Sequence, residues 1–109
     1  MVPLMAPSIQ IDCVAFCKAL ADETRQAILQ LLVEEERCVS DLVEHFAMSQ
    51  PTISHHLNIL KSLGLVSRRK EGRNVYYAIN HDNVIECCGM LIAKFACEPD
   101  SVIQVECEP

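Results

Sequence analysis

The sequence predicts a mainly α-helical domain of about five helices with one small β-hairpin. Three observations predict this class. Apolar residues recur at helical spacing through the first sixty or so positions. The period then changes in the segments VSRRK and NVYYAI, which are separated by a glycine turn. A last apolar stretch returns to helical spacing. Helix, turn, helix and two-stranded hairpin, in that order, predict a winged helix-turn-helix.

Length and composition favour a single domain that pairs with a second copy. The chain has 109 residues, half of them apolar and only 5% aromatic. We expect one domain over 1–109, with an N-terminal arm over 1–10 and a flexible C-terminal tail over 98–109. A domain this small and apolar often completes its burial by dimerising, so a homodimer is expected.

The first three helices follow from apolar spacing and capping residues. Residues 11–20 form the first helix, and Asp22 caps a second helix through ETRQAILQLLVEE. In that second helix the inward stripe is Ala27, Ile28, Leu31 and Leu32. A short third helix spans Ser40–Phe46 and turns Leu42, Val43 and Phe46 inward.

The fourth helix has the strongest local signals. Ser49 caps it, and Pro51 is tolerated in its first turn because its missing N–H has no helical partner there. It runs to about Leu63, and Gly64 is a favourable residue after a helix end. Its predicted inward face is Ile53, Leu57, Leu60 and Leu63.

The hairpin and the last helix complete the predicted fold. Gly72 marks the hairpin turn, and Asn80 caps a helix from His81 to about Ala96. No apolar run is long enough to span a membrane, and residues 1–11 lack the basic start of a signal peptide. We therefore expect a cytoplasmic protein that does not act at a membrane.

Charge is distributed unevenly along the chain. The net charge is −6, which disfavours a protein that is coated with nucleic acid. Five of the nine basic residues nevertheless fall between positions 61 and 73, with a single acid among them. A basic patch on an acidic body suits local contact with a phosphate backbone.

The fourth helix and the hairpin are therefore candidates for contact with double-stranded DNA. The second helix of such a unit places its N-terminal residues at base edges in the major groove, while a wing contacts phosphates or the minor groove. On the helix the candidates are Ser49, Gln50, Thr52, Ser54 and His55, and on the hairpin they are Arg69, Lys70 and Arg73. On pattern alone, a capped helix of an unrelated soluble protein stays open.

Two longer segments resemble a known family. ALADETRQAILQLL and VSDLVEHFAMSQPTISHHLNILKSLGLVSRRKEGRNVYYAI are similar to the ArsR/SmtB family of metal- and thiol-responsive bacterial repressors, over about residues 19–79. The resemblance implies a homodimer that binds an operator palindrome near its own gene and releases it when an inducer binds. It also implies that the first and last helices form the dimer interface.

Cysteine content is the other distinctive feature of the chain. There are seven cysteines, an odd number, and no CxxC motif, which weakens thioredoxin-like and zinc-ribbon interpretations. Disulfides are also a poor explanation in a reducing cytosol. Cys13 and Cys17 fall on one helical face. No cysteine has an evident general base beside it, so an enzyme is not expected.

The familiar inducer sites of the family are incomplete here. By resemblance, Cys38 matches the first cysteine of an arsenical site, while Ser40 and Val43 stand where further thiols can occur. One thiol cannot chelate a trivalent arsenical, so Cys38 as a small buried residue stays an alternative. The positions of zinc- and nickel-type sites fall near His81, Asn83, Lys94 and Cys97, where the lysine opposes a cation.

The preferred inducer site uses the vicinal cysteines of the last helix. Cys87 and Cys88 are its main members, with Cys97 or Cys107 as the third thiol, within or between subunits. By resemblance to arsenic-responsive members, As(III) or Sb(III) takes three sulfurs, and Cd(II) or Pb(II) suits the same thiolates. Less favoured ligands are Cys13, Cys17 and Cys38. Two alternatives remain: a redox sensor for peroxide or persulfide, and cysteines that only pack an interface.

Overall fold

A computed structural model describes residues 12–95. It contains five helices and three short strands. In chain order these are α1 (Cys13–Leu20), α2 (Glu23–Glu34), β1 (Arg37–Cys38), α3 (Val39–Phe46), α4 (Gln50–Ser62), β2 (Val66–Glu71), β3 (Asn74–Ile79) and α5 (His81–Phe95). The winged helix-turn-helix predicted from the sequence is confirmed. The predicted arm and tail, Ala96, Cys97 and Cys107 lie outside the described residues.

The sheet contains one strand more than the hairpin that the sequence predicts. Its strand order is β1-β3-β2, and both pairings are antiparallel. The added strand, β1, pairs Arg37 with Tyr77 and Cys38 with Tyr76. A strand of two residues is too short to show an alternating pattern, which is why the prediction of a two-stranded wing was incomplete. The wing turn follows Glu71, and Gly72 adopts the positive φ of 64° that the turn requires.

The core lies where the helix-turn-helix packs against the sheet. Its fully buried side chains come from α2, α3, α4 and the residue before β2, and they are Ile28, Leu42, Ile53, Leu57, Leu60 and Leu65. The inward faces predicted for these helices are confirmed in large part. Leu31, Val43, Phe46 and Leu63 are only half-buried, at the margin of the same cluster.

Local capping determines where the helices begin. Side-chain oxygens of Asp22, Ser49 and Asn80 accept hydrogen bonds from the backbone N–H groups of residues 25, 52 and 83. Gly64 follows α4 with a φ of 75°, and its carbonyl accepts a hydrogen bond of 2.8 Å from Asn83 Nδ2. The end of α4 is thereby joined to the start of α5.

Apolar side chains are uncovered on α5, on α1 and, at Val33, on α2. On α5, Ile85 is 68% exposed and Phe95 is 79% exposed, and Ile92 between them is also exposed. On α1, which packs against α5, Val14 is 61% exposed. None of the helices within residues 12–95 is both long and apolar enough to cross a bilayer.

Candidate DNA-binding surface and thiol sites

The N-terminal half of α4 presents the predicted base-reading residues to solvent. Ser49, Gln50, Thr52 and His55 are exposed and Ser54 is half-buried. Residues on the opposite side of the helix are fully buried. The buried apolar face packs α4 against the core. The exposed polar face leaves its first turns free to enter a groove.

The helix cap uses two of the predicted contact residues. Ser49 Oγ accepts the backbone N–H of Thr52 at 3.3 Å and donates to Thr52 Oγ1 at 2.9 Å. Thr52 therefore keeps its own hydroxyl proton for another acceptor. Gln50 stands next to this cap with its amide exposed, and an amide can pair bidentately with adenine.

Arg69, predicted as a wing contact, has its charge balanced within the protein. Its guanidinium bonds Glu36 through Nε at 3.1 Å and Nη2 at 2.5 Å, and Glu71 through Nη1 at 2.6 Å. The guanidinium also lies over the ring of Tyr76, 4.7 Å from its centroid. The bond from Arg69 lowers the pKa of Glu36 below its usual value. Arg69 therefore ties the wing to the segment before β1.

Two other basic residues of the wing remain available to phosphates. Lys70 and Arg73 are exposed, and neither forms an ion pair with any residue in the described part of the chain. Arg68 is likewise exposed and was not among the predicted contacts. It shares a strand face with Lys70, because alternate residues of a strand point to the same side. Strand alternation was the sequence signal that could have included it.

Cys38 lies in a cavity beside the DNA-binding helix. The cavity has a volume of about 250 Å³, and its lining includes Cys38, Ser40, Val43, Gln50 and Arg73. Ser40 Oγ donates a hydrogen bond of 3.4 Å to Cys38 Sγ, and this bond is the largest cause that lowers the pKa of the Cys38 thiol. The thiol is half-buried and does not belong to the core cluster, so its interpretation as a small buried hydrophobe is not supported.

The lining of this cavity includes the three positions at which arsenical repressors of the family can carry thiols. The two residues aligned with further thiols, Ser40 and Val43, line it together with Cys38. The three positions are thus together in space, but they supply only one sulfur. A soft trivalent ion needs more thiolates than this position provides.

The vicinal cysteines of α5 face different surroundings. Cys87 is 6% exposed and belongs to the core cluster, whereas Cys88 is exposed. Burial raises the pKa of the Cys87 thiol, and the nearby Cys88 and Cys13 add to this effect. Neighbouring residues on a helix diverge by about 100°, which accounts for the difference in exposure.

The other described cysteines lie on α1. Cys13 is buried, Cys17 is exposed, and neither forms a disulfide with another cysteine of residues 12–95. Because α1 packs against α5, Cys13 is close enough to influence the titration of Cys87. Within residues 12–95, no three histidine, cysteine or acidic side chains are grouped closely enough to hold a metal ion. The candidate third thiols, Cys97 and Cys107, lie outside this range.

The positions of zinc- and nickel-type sites are also described in part. His81 and Lys94 are exposed near opposite ends of α5, and the side chain of Asn83 donates a hydrogen bond to the carbonyl of Gly64. The structure does not bring these three side chains together.

Comparison with known proteins shows where this fold belongs. Residues 22–68 match the family described as "Bacterial regulatory protein, arsR family". The chain is 46% identical to the transcriptional repressor SdpR of Bacillus subtilis, over 58% of this chain and 70% of that protein. The chain belongs to the arsR family. Members of the family are DNA-binding transcriptional regulators and not enzymes, which confirms the expected non-enzymatic class.

Relatives within the family are named for different inducers. The chain is 46% identical to an arsenical resistance operon repressor of Staphylococcus aureus, over 63% of this chain and 69% of that protein. It is 41% identical to a homolog of the cadmium regulator CadC from the same species, over 73% of this chain and 67% of that protein. Family membership therefore establishes a repressor of transcription, but it does not identify the inducer.

A solved structure agrees with the arrangement of helices and wing. The homodimeric winged helix-turn-helix domain of a possible ArsR-family regulator from Mycobacterium bovis superposes with a TM-score of 0.62 at 36% identity. The match covers 78% of this chain and 81% of that one. The fold class and the DNA-binding architecture are thus shared.

Proposed function

We propose that the protein is a homodimeric cytoplasmic repressor that releases its operator when a thiophilic ion binds Cys87, Cys88 and a third thiol. Trivalent arsenic or antimony is the proposed inducer, and Cd(II) or Pb(II) is the alternative for the same thiolates. The third thiol is Cys97 or Cys107, supplied by the same subunit or by its partner. The observation that carries the proposal is the position of Cys88 within an uncovered apolar stripe of α5.

DNA binding is supported by the exposed first turns of α4 and by the exposed cations of the wing. Gln50 and His55 offer hydrogen-bonding groups to base edges, and Lys70 and Arg73 offer charges to phosphates. Gln50 and Arg73 line the same cavity, so the start of α4 and the wing turn lie beside each other on an otherwise acidic molecule. Affinity is therefore concentrated at a single surface of each subunit.

Dimerisation is supported by the uncovered stripe on α5. Ile85, Cys88, Ile92 and Phe95 recur at the i, i+3, i+7, i+10 spacing, so they lie along one side of the helix. All four are exposed in the isolated subunit. Exposed apolar surface of this kind marks an interaction site. A second copy of α5 covers it in the proposed dimer, and α1 contributes Val14 beside it.

The thiol site is supported by the two orientations of the vicinal pair. Cys88 projects into the proposed dimer interface, while Cys87 faces α1 and Cys13. An ion that binds both sulfurs must draw them together, against their divergence on a regular helix. Gly89 follows the pair, and a Cβ at this position would contact nothing within 4 Å in the subunit. Glycine also restricts its backbone less than other residues, which lowers the cost of a local distortion beside the pair.

The chemistry of arsenite suits thiols that are protonated at neutral pH. Neutral arsenous acid carries three hydroxyl groups. Each reacting thiol forms an As–S bond, and its proton leaves with one hydroxyl as water. The reaction needs no oxidant and releases no net proton. The raised pKa of Cys87 therefore does not oppose it. Binding of a divalent cation does release protons and is opposed at low pH.

Ion binding at this place is coupled to DNA through the dimer geometry. Both recognition helices must match successive major grooves of a palindrome, and their separation depends on how the two subunits pack. A site that rearranges α5 at the interface changes that packing and so favours release. The redox alternative is less favoured at Cys87, because the thiolate is the species that reacts with peroxide and burial raises this pKa.

The dimer interface is tested by paired substitutions. Phe95→Glu introduces a charge into the α5 stripe, and Val33→Glu makes the same change at an exposed apolar residue of α2. Sedimentation velocity should show that Phe95→Glu yields monomers and Val33→Glu remains dimeric. Two dimeric variants, or two monomeric ones, would contradict an interface on α5.

Ion binding is tested by native mass spectrometry of the full chain. Reduced protein is mixed with arsenite, and bound arsenic is counted per dimer. The proposal predicts that Cys87→Ser and Cys88→Ser each lose the adduct, whereas Cys38→Ser retains it. Loss in Cys38→Ser with retention in the other two would move the site to the cavity beside α4. Substituting Cys97 and Cys107 separately then identifies the third thiol.

A further inference from the structure

The last turn of α1 is closed by two side chains from the start of α2. Arg25 Nε donates to the carbonyl of Ala19 at 2.7 Å, and Arg25 Nη2 donates to the carbonyl of Lys18 at 3.4 Å. Gln26 Nε2 donates to the carbonyl of Leu20. Together they donate to three carbonyls in the last turn of α1, where the carbonyl of Lys18 also accepts the backbone N–H of Ala21.

Arg25 also reaches the DNA-binding helix. Its Nη1 lies 3.2 Å from Nδ1 of His56, on the half-buried side of α4. A guanidinium has donors only, so this contact is a hydrogen bond in the tautomer of His56 whose Nδ1 atom is the acceptor. The backbone N–H of Arg25 is itself held by the carboxylate of Asp22 at 3.0 Å. Hydrogen bonds therefore hold both the backbone and the guanidinium of Arg25.

This side chain joins two parts of the molecule with different tasks. The helix α1 packs against α2 and α5, at the proposed dimer interface, and α4 carries the base-reading residues. Among the side-chain hydrogen bonds within residues 12–95, those of Arg25 are the ones that join α1 to α4. Charge-assisted bonds of this kind are directional, so they resist rotation of one helix relative to the other.

We infer that Arg25, through His56, is a positioning residue that sets the separation of the two recognition helices and hence the operator spacing that the dimer accepts. This inference rests on the dimeric DNA binding proposed above, but not on the identity of the inducer. Half-sites of a palindrome must lie about one helical turn, or a multiple of it, apart for both helices to dock. A change in the angle between α1 and α4 occurs in both subunits. Because a two-fold axis relates them, the separation of the two α4 helices changes by twice the shift in one subunit.

The test measures spacing preference and not affinity alone. An operator is first selected from random duplexes with the wild-type protein. Anisotropy then gives the affinity for that duplex and for versions with one base pair inserted or removed between the half-sites. Wild-type protein should discriminate against the altered spacings. Arg25→Met and His56→Leu should reduce that discrimination about tenfold, as expected for loss of a hydrogen bond to a charged group.

Two further variants separate positioning from general stability. Gln26→Ala removes a bond to the same end of α1 without touching α4, so it should keep the wild-type spacing preference. His56→Asn retains an acceptor near the place of Nδ1, so it should restore the preference that His56→Leu loses. Circular dichroism and sedimentation confirm that each variant is folded and dimeric. If Arg25→Met does not fold, the same comparison uses Arg25→Lys, which keeps the charge but replaces the planar guanidinium fork with a shorter side chain that ends in one nitrogen.

The outcomes are distinct. Folded, dimeric Arg25 and His56 variants that keep the wild-type spacing preference would overturn the inference and leave the proposed function standing. An equal loss in Gln26→Ala would also overturn it, since capping of α1 alone would then be responsible. Wild-type protein that selects no duplex would refute the proposed DNA binding, and this inference with it. Arsenite takes no part in these measurements, so failure of the inducer proposal is detected separately.

Discussion

Arg69 donates two hydrogen bonds to the carboxylate of Glu36, which joins the wing to the segment before β1 across 33 positions of sequence. Glu71 takes a third bond from the same guanidinium. A basic residue at the wing is ordinarily assigned to phosphate contact. Here the two carboxylates compete with DNA for that charge.

Removing the competing carboxylate should strengthen DNA binding. In Glu36→Gln the Arg69 guanidinium loses an anionic partner and becomes available to a phosphate. We expect tighter binding and a slope of log affinity against log salt that is steeper by about one. Anisotropy at several salt concentrations measures both quantities. The control is Glu35→Gln, which changes the same charge at an exposed neighbour. Equal effects of the two variants would show that only net charge matters.

Substitutions at two residues of the proposed DNA-binding surface should weaken DNA binding in different ways. Gln50 stands at the exposed start of α4, whereas Lys70 stands on the wing without an ion pair within residues 12–95. Gln50→Ala should cost about 1–3 kcal/mol on the operator and little on unrelated DNA. Lys70→Ala should weaken binding to both by a similar factor and lower the salt slope by about one. Competition assays with mutated operators distinguish the two patterns, and a reversed result would contradict the assigned roles.

Thiol reactivity should follow the two opposite pKa shifts. The hydrogen bond from Ser40 lowers the pKa of Cys38, and burial raises that of Cys87. Alkylation proceeds through the thiolate. The rate at Cys38 should therefore reach half its maximum at a lower pH than the rate at Cys87. Peptide mapping after timed iodoacetamide treatment of reduced protein gives both profiles. Ser40→Ala should move the Cys38 profile to higher pH and leave Cys87 unchanged; the opposite order of the wild-type profiles would contradict the described environments.

The junction of α4 and the wing should not tolerate a side chain at Gly64. Its φ is 75°, and an added Cβ would lie 2.7 Å from Asn83 Nδ2. We expect Gly64→Ala to lower the free energy of unfolding by about 1 kcal/mol or more. Gly72→Ala is the informative comparison, because its φ of 64° is similar but its Cβ would meet nothing within 4 Å. Urea denaturation should rank Gly64→Ala as the less stable variant, and equal losses would show that backbone strain alone is responsible.

Local rules were sufficient for most of the fold. Asp22, Ser49 and Asn80 are caps whose side chains act within three residues, so their roles can be inferred from neighbouring sequence. Gly64 likewise marks a helix end through its own backbone. The two-residue strand β1 was missed, because it exists only through its pairing with Tyr76 and Tyr77.

The site could be predicted as a set of residues but not as an arrangement. Helical geometry implies that Cys87 and Cys88 diverge, yet which of them is buried depends on how α5 packs against α1. The partner of Arg69 lies 33 positions away, and the two side chains meet because β1 joins the sheet beside β3. The acceptor role of His56 could not be inferred from neighbouring sequence, because its partner Arg25 lies 31 positions earlier.

In the proposed mechanism, arsenic bound to thiols releases the repressor from DNA. The most direct test follows anisotropy of a labelled duplex from the promoter of the protein's own gene, with fully reduced protein and anaerobic addition of arsenite. Release near one arsenite per site, abolished in Cys87→Ser and Cys88→Ser and retained in Cys38→Ser, is the predicted result. Tight binding that arsenite does not change would contradict the proposed inducer while leaving the winged-helix repressor intact.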